Sequence, residues 1–224
     1  MAEETDEPRH REDHDHKADS GRDHDHDHGS DFEHDHDHEA DSGHDHHHHD
    51  IDQLGFAVVT VSSSRRIDDD DTSGDAIIEL LEDAGHTVAV RELVNDDYDG
   101  LQDTIDRLAN RKDTDCIVTT GGTGVTPDDV TIEAIQPLFE KRLPGFGELF
   151  RSLSVDEIGT RVVGTRATAG IADGVPAFCL PGSENAVRLG TREIIVEEAP
   201  HLAGLAKRDE TDTEGADDAN GNGN

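Results

Sequence analysis

Tryptophan is absent from this 224-residue chain, tyrosine occurs once, and aromatic residues make up only 3% of it. Basic charge is scarce as well: 19 Lys and Arg stand against 54 Asp and Glu, a formal net charge of −35 with His neutral. A surface of that sign repels nucleic-acid phosphates and anionic lipid, which argues against either as a partner. No apolar run approaches the roughly 18 residues a membrane helix needs, and the N-terminus lacks the apolar core of a signal peptide. A cytoplasmic protein is therefore expected. Only two cysteines occur, without a CxxC pair. Cys116 in CIVTT and Cys179 in AFCLPG sit in apolar runs, where reduced thiols pack as small hydrophobes.

What is present divides the chain in three. Residues 1–50 repeat Asp-His units, such as DHDHDH from Asp23 to His28 and HDHHHHD from His44 to Asp50, and hold fourteen of the sixteen histidines. With Phe32 as its one aromatic, this stretch has almost nothing to bury, and a disordered acidic tail is expected. Its imidazoles and carboxylates suit loose binding of Zn²⁺, Ni²⁺ or Cu²⁺, and metal buffering by the tail is one functional reading. Residues 207–224 read as a second disordered acidic tail. Between them, residues 51–206 have the length of one domain and carry 29 acidic and 13 basic side chains, a formal −16. So acidic a folded segment fits a salt-rich cytosol, as in a halophile, because screening at molar ionic strength shortens the Debye length to about 3 Å.

Strands and helices alternate through this central segment. Leu54–Val61, LGFAVVTV, is dense in β-branched residues, as in a strand covered on both faces. SSSRRIDDDDTSG then reads as a loop, with Thr72 and Asp75 as a capping-box start for a helix whose stop is Gly85. HTVAVREL, His86–Leu93, reads as a second strand, and Leu101, Ile105 and Leu108 fall on one helical face. Cys116–Val118 is the third strand. A helical stretch from Thr131 is interrupted by Pro137, and LPGFGELFRSLS, Leu143–Ser154, begins another helix. Gly159–Gly174 reads as loop, VPAFCL as a strand, and Ser183 as the start of a long final helix bent or broken at Pro200. The alternation implies a three-layer α/β fold with a mostly parallel sheet, whose ligand crevice lies at the carboxyl ends of the strands.

The third strand empties into TTGGTGVTPDD, Thr119–Asp129. Gly121, Gly122 and Gly124 let backbone N–H groups approach an anion closely, and Asp128 and Asp129 place carboxylates at the rim where a divalent cation would bridge to phosphate. The same residues also read as a plain turn, with Thr126 as N-cap, Pro127 at the first helical position and Asp129 closing a capping box. The loop is not a Walker motif, since no Lys-Ser or Lys-Thr follows the glycines.

TTGGTGVTPDDVTIEA, LPGFGELFRSLS, TRATAGI and LPGS together resemble, in order and spacing, the MoaB/Mog family of molybdenum-cofactor biosynthesis proteins, from about Leu54 to Leu205. The resemblance implies the molybdopterin-binding α/β fold, a homo-oligomer (trimer or hexamer), and transfer of AMP from ATP to molybdopterin with Mg²⁺. A downstream metal-inserting protein is an implied partner, and a non-catalytic pterin-binding role is the alternative. Carried over by position, Gly121, Gly122, Thr123 and Gly124 match the phosphate- and pterin-contacting turn. Asp129 and Asp96 match the family's two active-site aspartates, with the metal between them. Ser73 and Gly74 match the turn into the first helix, and Pro181, Gly182 and Ser183 the late turn that closes the pocket. Arg151 and Arg166 are candidates for steering phosphates or for surface ion pairs. Two positions depart from the pattern: Asp128 stands where many relatives have Arg, removing one bidentate phosphate contact, and Ile132 where many have Pro.

Overall fold

The computed structural model describes residues 51–62 and 71–211, with side chains to 207. The His/Asp-rich tail, most of the loop after the first strand and the side chains of the C-terminal tail lie outside the described residues.

A six-stranded sheet organises the domain, with strands in the order β2-β1-β3-β6-β5-β4. Its parallel part consists of β1 (Gly55–Val61), β2 (Thr87–Val94), β3 (Cys116–Thr120) and β6 (Val175–Leu180). β4 (Lys141–Arg142) and β5 (Thr168–Ala172) complete it in antiparallel pairing. Side chains of β1 alternate between two cores. Phe56 and Val58 join Val118, Phe178 and Leu180 on one face, and Ala57 and Val59 join Ile117 and Ala177 on the other. Period-two alternation with both faces apolar is what a strand buried between two helical layers requires. α1 (Thr72–Asp83), α4 (Pro144–Ile158), α5 (Glu184–Gly190) and α6 (Val196–Thr211) cover the first face. α2 (Tyr98–Ala109) and α3 (Thr131–Ile135) cover the second. Cys116 and Cys179 are free, fully buried and on opposite faces, and burial pushes the Cys179 thiol up to about 12.

Four local expectations need correction. The cap of α1 is Asp71, whose carboxylate accepts the Gly74 N–H; Asp75 instead pairs with Arg91. The Gly159–Gly174 stretch is not all loop: it contains a 3₁₀ segment, Gly159–Gly164, and then β5. The final helix is irregular at Thr191–Ile195, a π-helical turn, and continues through Pro200 as α6. Finally, no helix starts at Pro127; α3 begins at Thr131. Gly85, at φ 88°, follows α1 as expected of a helix stop.

Candidate active site

Strand order reverses between β1, whose next neighbour in sequence lies to one side, and β3, which lies to the other. At such a point the carboxyl ends of the strands leave a crevice. The glycine loop fills its floor. Gly121 and Gly122 have φ of 99° and 61°, and a Cβ on Gly121 would strike the Val61 carbonyl at the end of β1. Positive φ and close backbone approach are both conditions only glycine meets without strain. Thr131 anchors the loop's base, donating its N–H to the Gly122 carbonyl at 3.0 Å and its hydroxyl to that of Gly121 at 2.9 Å. Gly182, after β6, sits so close that a Cβ there would lie 3.2 Å from the Gly121 Cα.

These turns enclose a pocket of about 340 Å³, lined by residues 121–124, Asp129, Pro181, Gly182, Gly164 and Thr165. Asp129 is held by Thr126 and by the Gly124 backbone. Its Oδ2 accepts the Thr126 N–H at 2.8 Å and the Thr126 hydroxyl at 2.6 Å, and its own N–H donates back to the Thr126 carbonyl at 3.1 Å. Only half of the expected capping box is made, since the Asp129 N–H goes to the Thr126 carbonyl and not to its hydroxyl, and the turn is continued by no helix. The Thr126 hydroxyl, more than any other group, holds the Asp129 carboxyl below the usual carboxylate range.

Asp96 follows β2 and does not line this pocket. Its Oδ1 is shielded from solvent and lies against the loop, 2.5 Å from where a Gly122 Cβ would be. The carboxylate that caps α2 belongs to its neighbour Asp97, which accepts the Gly100 N–H at 2.8 Å. Ser73 and Gly74 lie outside the pocket too, buried at the start of α1 around Asp71. Asp71, which sequence reasoning passed over, accepts from the Thr60 hydroxyl at 2.8 Å and from Arg91 at 2.9 Å. Burial works to raise its pKa, but those bonds and the Gly74 N–H outweigh it and hold the group charged. Thr60 pairs in register with Thr120, so this cluster braces the strand end beside the glycine loop.

Ser183 caps α5 through the Ala186 N–H and lines a second cavity, of about 640 Å³, which shares Thr165 and Pro181 with the first. Its wall combines Phe150, Ile158 and Leu189 with Glu157 and Glu184. Arg166 is committed to carbonyls of the loop and to Glu133. Arg151, on α4, lies against Gly147 and lines neither cavity.

Among the described residues no three or more His, Cys, Asp or Glu side chains group as a metal cage. Two carboxylates flanking a glycine loop suit a different arrangement, that of Mg²⁺, which typically takes one or two protein carboxylates and completes its shell with phosphate oxygens and water. The donor set therefore fits a metal that arrives with a nucleotide.

An α/β sheet with this switch point and a backbone-floored pocket defines a three-layer α/β protein whose crevice lies at the strand ends. Residues 57–201 match the family model described as a probable molybdopterin binding domain, and the chain belongs to that family. It is 44% identical over 153 residues to molybdenum cofactor biosynthesis protein B of Bacillus subtilis, covering 68% of this chain and 89% of that one. Among solved structures, a molybdenum cofactor biosynthesis protein B is 39% identical with a TM-score of 0.67, over 70% of this chain and 97% of that one. The tungsten cofactor synthesizing protein MoaB from Pyrococcus furiosus is 41% identical with a TM-score of 0.60, over 70% of this chain and 99% of that one. Among the described residues no helix is long and apolar enough to cross a membrane.

Proposed function

We propose that this chain acts in molybdenum or tungsten cofactor biosynthesis, as a cytoplasmic enzyme transferring AMP from ATP to molybdopterin. A terminal phosphate oxygen of molybdopterin bonds to the α-phosphorus of ATP while the bond from that phosphorus to the bridging oxygen breaks and pyrophosphate departs. The observation that carries the proposal is the pocket itself, where the Gly121–Gly124 loop meets Pro181–Gly182 with Asp129 at the rim. With the Gly121 N–H spent on the Leu180 carbonyl and that of Gly124 on Asp129, the N–H groups of Gly122 and Thr123 would be the donors to phosphate oxygens, without the clash a Cβ would bring. Asp129 at the rim, with Asp96 against Gly122 as the second carboxylate, would hold the metal or its waters, and the two hydrogen bonds from Thr131 keep the loop in place. Bound Mg²⁺ supplies neutralisation of charge on the phosphates.

Exposed Leu149, Val155, Ile158 and Val163, on α4 and the 3₁₀ segment after it, support a homo-oligomer, a trimer or hexamer. The adenylated product would pass to a metal-inserting partner. The acidity of the 51–206 segment supports a halophilic setting. Incubating the full chain with ATP, Mg²⁺ and metal-free molybdopterin should yield adenylated pterin and pyrophosphate in equal amounts. Pterin binding without either product would instead establish a non-catalytic pterin-binding protein.

A further inference from the structure

Arg166 stands just ahead of β5. Because β5 runs antiparallel to β6, with Thr168 beside Cys179, its beginning lies at the sheet edge where β3 and β6 end. From there the guanidinium reaches the glycine loop. Its Nε donates to the Thr123 carbonyl at 3.2 Å and its Nη2 to the Asp129 carbonyl at 3.3 Å. Both terminal nitrogens also donate to the Glu133 carboxylate on α3. Thr123 and Asp129 line the pocket, and so do Gly164 and Thr165, the two residues before Arg166. One side chain thus ties two separate parts of the pocket wall together. The segment Thr119–Val130 contains no Lys or Arg of its own, so the cation that holds it comes from elsewhere in the chain.

We propose that Arg166 is a positioning residue that sets the width of the pocket and the attitude of the Asp129 carboxylate. It binds the two carbonyls that bracket the exposed loop tip, and Glu133 fixes the guanidinium in turn. A direct phosphate clamp is the competing role, and the donor count opposes it. Guanidinium has five N–H donors, and the four hydrogen bonds to Thr123, Asp129 and Glu133 occupy four of them. The remaining hydrogen bonds of Thr123–Asp129 among the described residues include the Thr126–Asp129 pair, which is internal and ties the segment to nothing outside it. The effect on rate rests on the adenylyl-transfer reading; the effect on the loop does not.

The test uses Arg166→Lys, whose single ammonium cannot span both carbonyls, with Glu133→Gln as a milder variant should the first fold poorly. Hydrogen exchange of amides 123–131, melting temperature and steady-state kinetics are measured in the native and Asp129→Asn backgrounds. The expected result is exchange faster by about 10-fold or more in that segment alone, with global melting little changed. kcat should fall by about 10-fold or more with KM for ATP within about threefold, the mark of misplacement and not of lost binding. In the Asp129→Asn background the same change should cost much less, because its route of action is already gone. Unchanged exchange with a KM for ATP raised about 10-fold would make Arg166 a phosphate ligand and overturn the proposal. Equal losses in both backgrounds with a lowered melting temperature would reduce it to general support of the fold, and would also overturn it. If the native chain forms no adenylated pterin, the enzyme reading fails separately, and the exchange rates alone decide whether Arg166 holds the loop.

Discussion

The Oδ1 oxygen of Asp96 lies 2.5 Å from the point a Cβ on Gly122 would occupy, and the Thr131 hydroxyl oxygen lies closer still. Two oxygens from two different elements therefore converge on the space left by one missing side chain. Gly122→Ala should displace both and strain a backbone at φ 61°. The expected cost is about 1–3 kcal/mol of stability and a loss of adenylyl transfer of roughly 10²-fold. Thermal melting and the pterin assay on one sample check the two effects together.

Asp129→Asn separates charge from shape. An asparagine oxygen can still accept from the Thr126 N–H and hydroxyl, so the turn should survive at a cost of about 1 kcal/mol or less. Removing the negative charge should lower kcat by roughly 10²-fold. A variant with native turnover would move the chain to the binding-only role.

His86 is a pH probe of the sheet's far end. Its Nδ1 accepts the Leu54 N–H at 3.4 Å, its ring packs on Phe56 with centroids 5.3 Å apart, and it is 7% exposed. Burial lowers its pKa below the ordinary 6.5. A lowered folded-state pKa means that the unfolded chain takes up the proton first, so the stability from neutral His86 is full above pH 6.5 and declines as pH falls toward the folded value. Melting temperature should drop between pH 7 and 5. His86→Gln should be less stable at pH 7 and flatten that dependence, which differential scanning calorimetry at several pH values measures.

Self-repulsion of the 51–206 segment should make stability depend on salt. The melting temperature should rise by several degrees from dilute buffer to molar KCl. A flat profile would show that the excess carboxylates, those left over from pairs such as Arg107 with Glu92 and Arg188 with Glu79, lie too far apart in water to repel one another appreciably.

Strong periodicity made much of this fold readable in advance. Leu101, Ile105 and Leu108 are all fully buried on α2, because three apolar residues on one face of a helix have one way to leave water. β5 escaped, since TAGIA is short and rich in small residues, and its burial comes from α4 and β6 and not from a pattern of its own. The signal that would have found it is Asp173–Gly174. Both have positive φ, 48° and 72°, and join paired Ala172 and Val175 as a two-residue hairpin. The candidate site was legible as a loop and a late turn, which the fold does bring together. The burial of Asp96 against Gly122 was not, because spacing along a chain says nothing about which glycine a carboxylate packs on. Asp71 went unnoticed for a related reason: as one more acid in DDDDTSG, only its burial sets it apart.

Where the Gly121 turn meets the Gly182 turn, main chain touches main chain and no side chain intervenes. The contact between Gly121 and Gly182 therefore carries no residue identity that natural variation could tune, since a side chain on either would push the two turns apart. Discrimination among ligands has to be written in the side chains around that contact, in positions such as Thr123, Thr165 and Asp129. A change of preferred ligand is accessible there by single replacements, while the glycine contact can only be kept or lost.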